Sequence, residues 1–170
     1  MHIEAIPIQS NWIANFREVS PGLYAGARPM LPGGIYELKS IGIKTIIDLE
    51  ANNDPEYNEA VLAGAAGLTL HSMPLPGLEI LTMPPADQMA AIALIVNDLS
   101  QRPLYVSCRH GSDRTGAVIG QYRVEQCDWT ADEAIAEMRR FHNAEIEAGY
   151  RRWVQMCAEK KREADGCNRS

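Results

Sequence analysis

Little in this 170-residue chain points to a metal, a membrane or a polyanionic partner. Cysteine is scarce: the four, at 108, 127, 157 and 167, form no Cys-x-x-Cys pair and have no histidines at zinc-site offsets. A disulfide framework is equally unneeded in a chain long enough to build its own core. Basic residues are outnumbered, 16 Lys and Arg against 22 Asp and Glu, and the formal net charge of −6 argues against nucleic acid or a membrane surface recognised by bulk charge. No apolar run approaches the roughly 18 residues that span a bilayer. Met1-His2-Ile3-Glu4 lacks the basic flank and apolar core of a signal peptide, so a cytoplasmic location is the expectation. Repeats, low-complexity tracts and linkers are absent, and with 46% hydrophobic and 22% charged residues the chain reads as one domain, 1–170.

What is present is an alternation of strands and helices. Residues 1–15, with Trp12, Ile13 and then Phe16, read as an N-terminal extension packing on the body. Phe16–Val19 and Leu23–Ala25 flank the turn Ser20-Pro21-Gly22. Ile35, Leu38 and Ile41 recur at helical spacing and Gly42 closes that helix. Lys44–Leu49 is a buried strand by its branched residues. Asp54-Pro55 opens a helix running to Gly67, Leu68–Met73 is a strand, and Pro74–Pro84 is a proline-rich loop long enough to overhang a site. An apolar helix covers Pro85–Leu99. Thr130-Ala131-Asp132-Glu133 is a capping box opening a helix through Phe141, and the last helix spans about 143–163. Together they predict an α/β three-layer sandwich with a central, mostly parallel sheet flanked by helices.

One stretch carries the chemistry: Val106-Ser107-Cys108-Arg109-His110-Gly111-Ser112-Asp113-Arg114-Thr115-Gly116. An apolar run leads in and a helical run, Thr115–Gln126, leads out. Strand, tight loop and helix start form a phosphate cradle, because backbone N–H groups and the helix N-terminus together favour an anion. Cys108 and Arg114 bracket the loop with five residues between them, so a guanidinium can grip two phosphate oxygens above a sulfur at the base. The helix start, the loop donors and Arg114 all favour the thiolate, the form that attacks phosphorus. Thr115 is placed to give its hydroxyl to the departing sulfur, and Gly111 and Gly116 let the backbone turn without a Cβ.

The signature Cys-x-x-Gly-x-x-Arg-Thr-Gly at 108, 111, 114, 115 and 116 resembles the cysteine-dependent protein tyrosine phosphatase superfamily, specifically its compact dual-specificity-like members. The resemblance extends to Leu23–Pro29 and Gly42–Leu49, the opening of small bacterial and fungal phosphatases, and covers roughly residues 19–142. It implies a metal-independent phosphomonoesterase without a cofactor, working through a phosphocysteine intermediate. Cys108, Arg114, Asp113 and Thr115 would be catalytic, and Arg109, His110, Gly111, Ser112 and Gly116 would line the substrate. Two positions depart from the family. Ser107 stands where a histidine is usual, and the loop Pro74–Pro84 holds no Asp to act as general acid; its carboxylate is Glu79. A leaving alkoxide needs a proton. Asp113 is one candidate, since Cys-x-x-Gly-x-Asp-Arg-Thr is similar to bacterial lipid and tyrosine phosphatases and myotubularins, where an Asp inside the loop is the acid; Glu79 is the other.

The rim pair Arg109-His110 favours a highly phosphorylated substrate, an inositol phosphate or phosphoinositide, with phosphotyrosine or phosphoserine/threonine proteins close behind. The partner is thus a phosphorylated small molecule, lipid or protein. His71 reads as a satisfied core histidine, Asp48 as a tie for a neighbouring loop, and Arg28 as structural or folding back toward the site. Arg139-Arg140 and Lys160-Lys161-Arg162 read as solvated helix faces. Two other functions fit parts of the loop. Cys108-Arg109-His110-Gly111 matches the start of a rhodanese-like sulfurtransferase loop, although Asp113–Gly116 has no place there, and a thiosulfate-to-cyanide assay separates the two. A catalytically silent phosphate-binding module would keep the cradle but not need both Cys108 and Arg114. Cys108→Ser is expected to abolish phosphate-ester hydrolysis while ligand binding, followed by calorimetry, persists; retained turnover would exclude the cysteine mechanism.

Overall fold

Strands without a polar face belong in the middle of a sheet covered on both sides, and the sheet of this chain is ordered accordingly. The computed structural model describes residues 3–51, 58–76, 83–142 and 148–167. Its strands are β1 (Ile6–Pro7), β2 (Arg17–Ser20), β3 (Leu23–Ala27), β4 (Thr45–Asp48), β5 (Thr69–Ser72) and β6 (Leu104–Cys108), in spatial order β1-β2-β3-β6-β4-β5. Every residue of β4 and β6 is buried, and both are interior, whereas edge strand β5 is exposed or half-buried throughout. β6 runs parallel to β3 and β4, and β4 to β5, while β1 and β2 join antiparallel. The sheet is therefore mixed, with its parallel half around β6.

The helices are α1 (Gly33–Ser40), α2 (Glu59–Ala65), α3 (Ala86–Asn97), α4 (Asp113–Cys127), α5 (Ala131–Arg140) and α6 (Ala148–Cys167). Side chains alternate across a strand, so β4 and β6 feed two cores. Ile47, Leu104 and Val106 meet Met89, Ile92, Ile119 and Trp153 of α3, α4 and α6 on one face. Ile46 and Tyr105 meet Ile35, Leu38 and Ala63 of α1 and α2 on the other, together with Ile13 and Phe16. Ile13 thus sits in the second core from the N-terminal side, and the Trp12 ring lies over Gly33, where a Cβ would fall 2.4 Å from it.

Several details differ from the expectation. The helix after the loop begins at Asp113 rather than Thr115, which places both Asp113 and Arg114 on its first turn. α2 is described from Glu59, behind an Asn58 cap on the Val61 N–H; Asp54, Pro55 and Tyr57 lie outside the described residues, as does Glu79. His71 is not a satisfied core residue: it sits half-buried on edge strand β5, and its Nε2 has no hydrogen-bond partner. Lys161 is not merely solvated, since its ammonium donates to the Val124 and Glu125 carbonyls at 2.8 and 3.3 Å and pairs with Asp128 at 2.5 Å, closing the end of α4. Arg140 pairs with Glu4. Among the described residues no helix is long and apolar enough to cross a membrane.

The helical layer is fastened by a buried ion pair. Arg123 of α4 donates to both oxygens of Glu137 of α5, at 3.0 and 2.7 Å, and its guanidinium lies 4.3 Å from the Trp129 ring centre. Glu137 also accepts the Ala5 N–H at 2.8 Å, tying the N-terminal segment to α5. Removing one member of such a pair strands the other charge away from water. Arg123→Met is therefore expected to destabilise the fold by about 3–5 kcal/mol in denaturant unfolding; a loss below about 1 kcal/mol would show that the pair does not hold the layer together.

Candidate active site

The site is built where β6 ends. Because β3, β6 and β4 are parallel and in register, with Ala27 and Cys108 opposite each other and Asp48 opposite Ser107, the ends of all three strands reach one edge of the sheet. Cys108 is 2% exposed there, and residues 109–112 form the bend into α4.

The end of β6 and the bend are held from outside through their carbonyls. Leu49 N–H donates to Ser107 O at 2.8 Å and Arg28 N–H to Cys108 O at 2.7 Å. Asn15 Nδ2 donates to His110 O at 2.8 Å, and the buried Arg17 guanidinium to Gly111 O at 3.1 Å and Asn15 O at 2.8 Å. Buried carbonyls need such partners, and with these engaged the chemistry left to the bend is that of its N–H groups, the donors an anion needs. Gly111 adopts φ +70, and a Cβ there would stand 2.3 Å from Gly26 C and 2.4 Å from Ala27 N. The bend therefore lies directly on the β3 backbone, a close approach only glycine permits.

Arg114 is pre-positioned. One terminal nitrogen donates to Glu50 Oε2 at 2.5 Å and the other to Leu49 O at 3.4 Å, while the same Glu50 oxygen accepts the Arg109 N–H at 3.2 Å. Glu50 is set by Asp48, which accepts its backbone N–H at 2.9 Å; the expected loop tie is thus observed. Burial pushes the Asp48 carboxyl above the ordinary carboxylate range, against that hydrogen bond and the nearby Arg28 and Arg114 charges. Burial likewise pulls the Arg17 guanidinium down to about 10, with Glu137 foremost among the groups opposing the shift, so it remains a cation at neutral pH.

Asp113 lies at the mouth. Its Oδ2 is 2.7 Å from His142 Nε2 and 3.3 Å from the Ser112 hydroxyl. Arg109 and His110 are exposed at the rim, Ser112 is buried, and Thr115 is fully buried with no hydrogen-bond partner at its Oγ1. Gly116 sits inside α4, where its N–H donates to Ser112 O at 2.6 Å and a Cβ would press Met138 at 3.1 Å. Ser107 does not reach the bend; its hydroxyl turns to Ile47 O of β4 at 3.5 Å. A separate cavity of about 650 Å³, lined in part by Trp129, Arg152 and Lys161, lies by the far end of α4.

Four contributors escaped the sequence reading: Asn15, Arg17, Glu50 and His142. Two left a trace. Arg17 shares the inward parity of Val19 on β2, an odd place for a charge, and Glu50 follows a strand whose end faces the bend. Asn15 and His142 left none, since their roles depend on contacts 95 and 29 residues away.

Comparison with known proteins bears on the family and the fold. A family model described as "DSP-PTPase phosphatase fused to NAD+ Kinase" matches residues 10–158. The chain is 26% identical over 143 residues to inositol diphosphatase DSP2 of Oryza sativa, covering 84% of this chain and 69% of that protein. It is 25% identical over 126 residues to the dual specificity protein phosphatase TpbA of Pseudomonas aeruginosa, covering 74% of this chain and 54% of that one. In fold it is similar to the core catalytic domain of the PP-IP phosphatase SIW14 from S. cerevisiae, with a TM-score of 0.76, 24% identity, and 97% and 96% of the two chains covered.

The close approach at Gly111 generates a test. Gly111→Ala combines a positive φ with a Cβ inside van der Waals distance of β3, so the bend must lift away. The expected outcome is a chain that keeps its circular dichroism, melts lower by about 1–3 kcal/mol of stability, and loses phosphate binding in calorimetry. Unchanged phosphate affinity would show that the bend does not depend on this seat.

Proposed function

The chain belongs to the DSP-PTPase phosphatase family defined by that model and is a cysteine-dependent, dual-specificity-type phosphatase, and on that premise we propose how its own residues turn over substrate and which substrate they take. One observation carries the mechanism: Cys108 ends the buried central strand and faces the N-terminus of the 15-residue α4, with Arg114 on its first turn already held by Glu50. The phosphoryl group enters the bend with two oxygens on Arg114. The Cys108 thiolate attacks phosphorus in line, an S–P bond forms, and the ester P–O bond breaks. The departing oxygen takes a proton from Asp113, which is left as a carboxylate. Arg114 and the bend carry the charge on the equatorial oxygens. Water then attacks the phosphocysteine and gives a proton back to Asp113. The S–P bond breaks with the Thr115 hydroxyl turning to the sulfur, and inorganic phosphate leaves.

Glu50, through its ion pair with Arg114, fixes the direction of the guanidinium fork that receives the phosphoryl oxygens.

The substrate we favour is a phosphorylated inositol. Arg109 and His110 stand exposed beside the bend, where they can meet phosphates other than the one being cleaved, and the rice relative is named an inositol diphosphatase. A phosphotyrosine- or phosphoserine/threonine-bearing protein is the second reading, favoured by the likeness to a dual specificity protein phosphatase. Kinetics on inositol hexakisphosphate, an inositol diphosphate and a phosphotyrosine peptide separate them. The expected result is a higher kcat/KM on the inositols, with Arg109→Ala lowering it about 10-fold and affecting p-nitrophenyl phosphate less. Turnover of the peptide alone would transfer the assignment to proteins.

A further inference from the structure

Resting on the reading of Asp113 as the acid, we propose that His142, on the turn that follows α5, is the positioning residue of that acid: it holds Asp113 at the mouth and stabilises the carboxylate that remains between the two half-reactions.

The geometry is specific. The 2.7 Å contact between His142 Nε2 and Asp113 Oδ2 joins the first turn of α4 to residues beyond the end of α5, and the two side chains are 12% and 20% exposed. Being partly withdrawn from water, the pair interacts more strongly than an ion pair at an open surface. The backbone that carries the imidazole is itself held in place. The main-chain N–H of His142 donates to Arg139 O at 3.3 Å, and the neighbouring Phe141 ring lies 4.1 Å from the Arg17 guanidinium that supports Gly111. The end of α5 therefore reaches the bend by two routes, one under it through Arg17 and one at its mouth through His142.

The chemistry follows from the charge balance. When Asp113 gives its proton to the leaving oxygen, a negative charge appears on its carboxylate. An N–H from His142 Nε2 to Oδ2 stabilises that charge and keeps the group in register for the water that returns the proton. His142 does not touch the phosphoryl group; it acts through Asp113. A histidine that merely filled space would leave the leaving-group dependence untouched.

Three single variants and one double variant test this on an alkyl phosphate, whose leaving oxygen needs a proton, and on p-nitrophenyl phosphate, whose leaving oxygen scarcely does. Asp113→Asn is expected to lower kcat on the alkyl substrate by about 100-fold more than on the aryl one. His142→Ala is expected to show the same selectivity at about 10-fold, with KM unchanged, and to add nothing to Asp113→Asn in the double variant. His142→Gln, whose amide N–H can still reach the carboxylate, is expected to recover part of the loss, and it keeps the test open should the alanine variant fold poorly. Equal losses of His142→Ala on both substrates, or losses additive with Asp113→Asn, would overturn the proposal while leaving the acid intact. Absence of selectivity in Asp113→Asn itself would overturn the acid reading and His142 with it.

Discussion

A peptide bend that binds an anion through its N–H groups must have its carbonyls satisfied elsewhere, because a buried C=O without a partner costs about as much as a lost hydrogen bond. Carbonyls at the end of β6 and in the bend meet that constraint through neighbouring segments. The residues after β3 and β4 donate to Cys108 O and Ser107 O, Asn15 just before β2 donates to His110 O, and Arg17, the first residue of β2, donates to Gly111 O. Gly111 then seats the bend on β3. The N-terminal segment, which looks like an appendage, is part of the floor beneath the cysteine.

The second feature is how buried charge is distributed. Arg17, Asp48, Arg123 and Glu137 are all at most 5% exposed, yet each faces a group of opposite sign or accepts or donates hydrogen bonds. Glu137 takes the bidentate grip of Arg123 and also favours the charged form of Arg17, so the charge that fastens α4 to α5 also helps balance the guanidinium under the bend. At the mouth, Glu50 and Asp113 pair with Arg114 and His142, which leaves Arg109 and His110 as exposed basic groups on the rim. The acidic total of the chain is compatible with an anionic substrate because, among the described residues, the carboxylates of Glu50 and Asp113 beside the bend are engaged.

The order of elements was readable with little loss. Branched residues at 44–49 and the run into Cys108 marked interior strands, and Thr130 with Glu133 marked a helix start that the structure shows with both capping bonds. Errors fell where a neighbour, not a local pattern, decides. His71 is apolar in context but lies on an edge strand, and only the strand order reveals which strand is the edge. Lys161 reads as a solvated lysine until the end of α4 is brought beneath it. Ser107 turns to β4 because β4 lies beside it, a fact absent from its own segment.

The sequence by itself determined the cradle: a cysteine, a glycine and an arginine at fixed offsets between a buried strand and a helix, whose spacing of a few residues lets local backbone geometry dictate the arrangement. Tertiary structure alone decided what surrounds it. Glu50 on Arg114, Arg17 and Asn15 beneath the bend, and His142 on Asp113 join residues 64, 94, 95 and 29 positions apart. Such pairings follow from strand order and helix packing, which are set by the burial of whole faces rather than by any short stretch of chain.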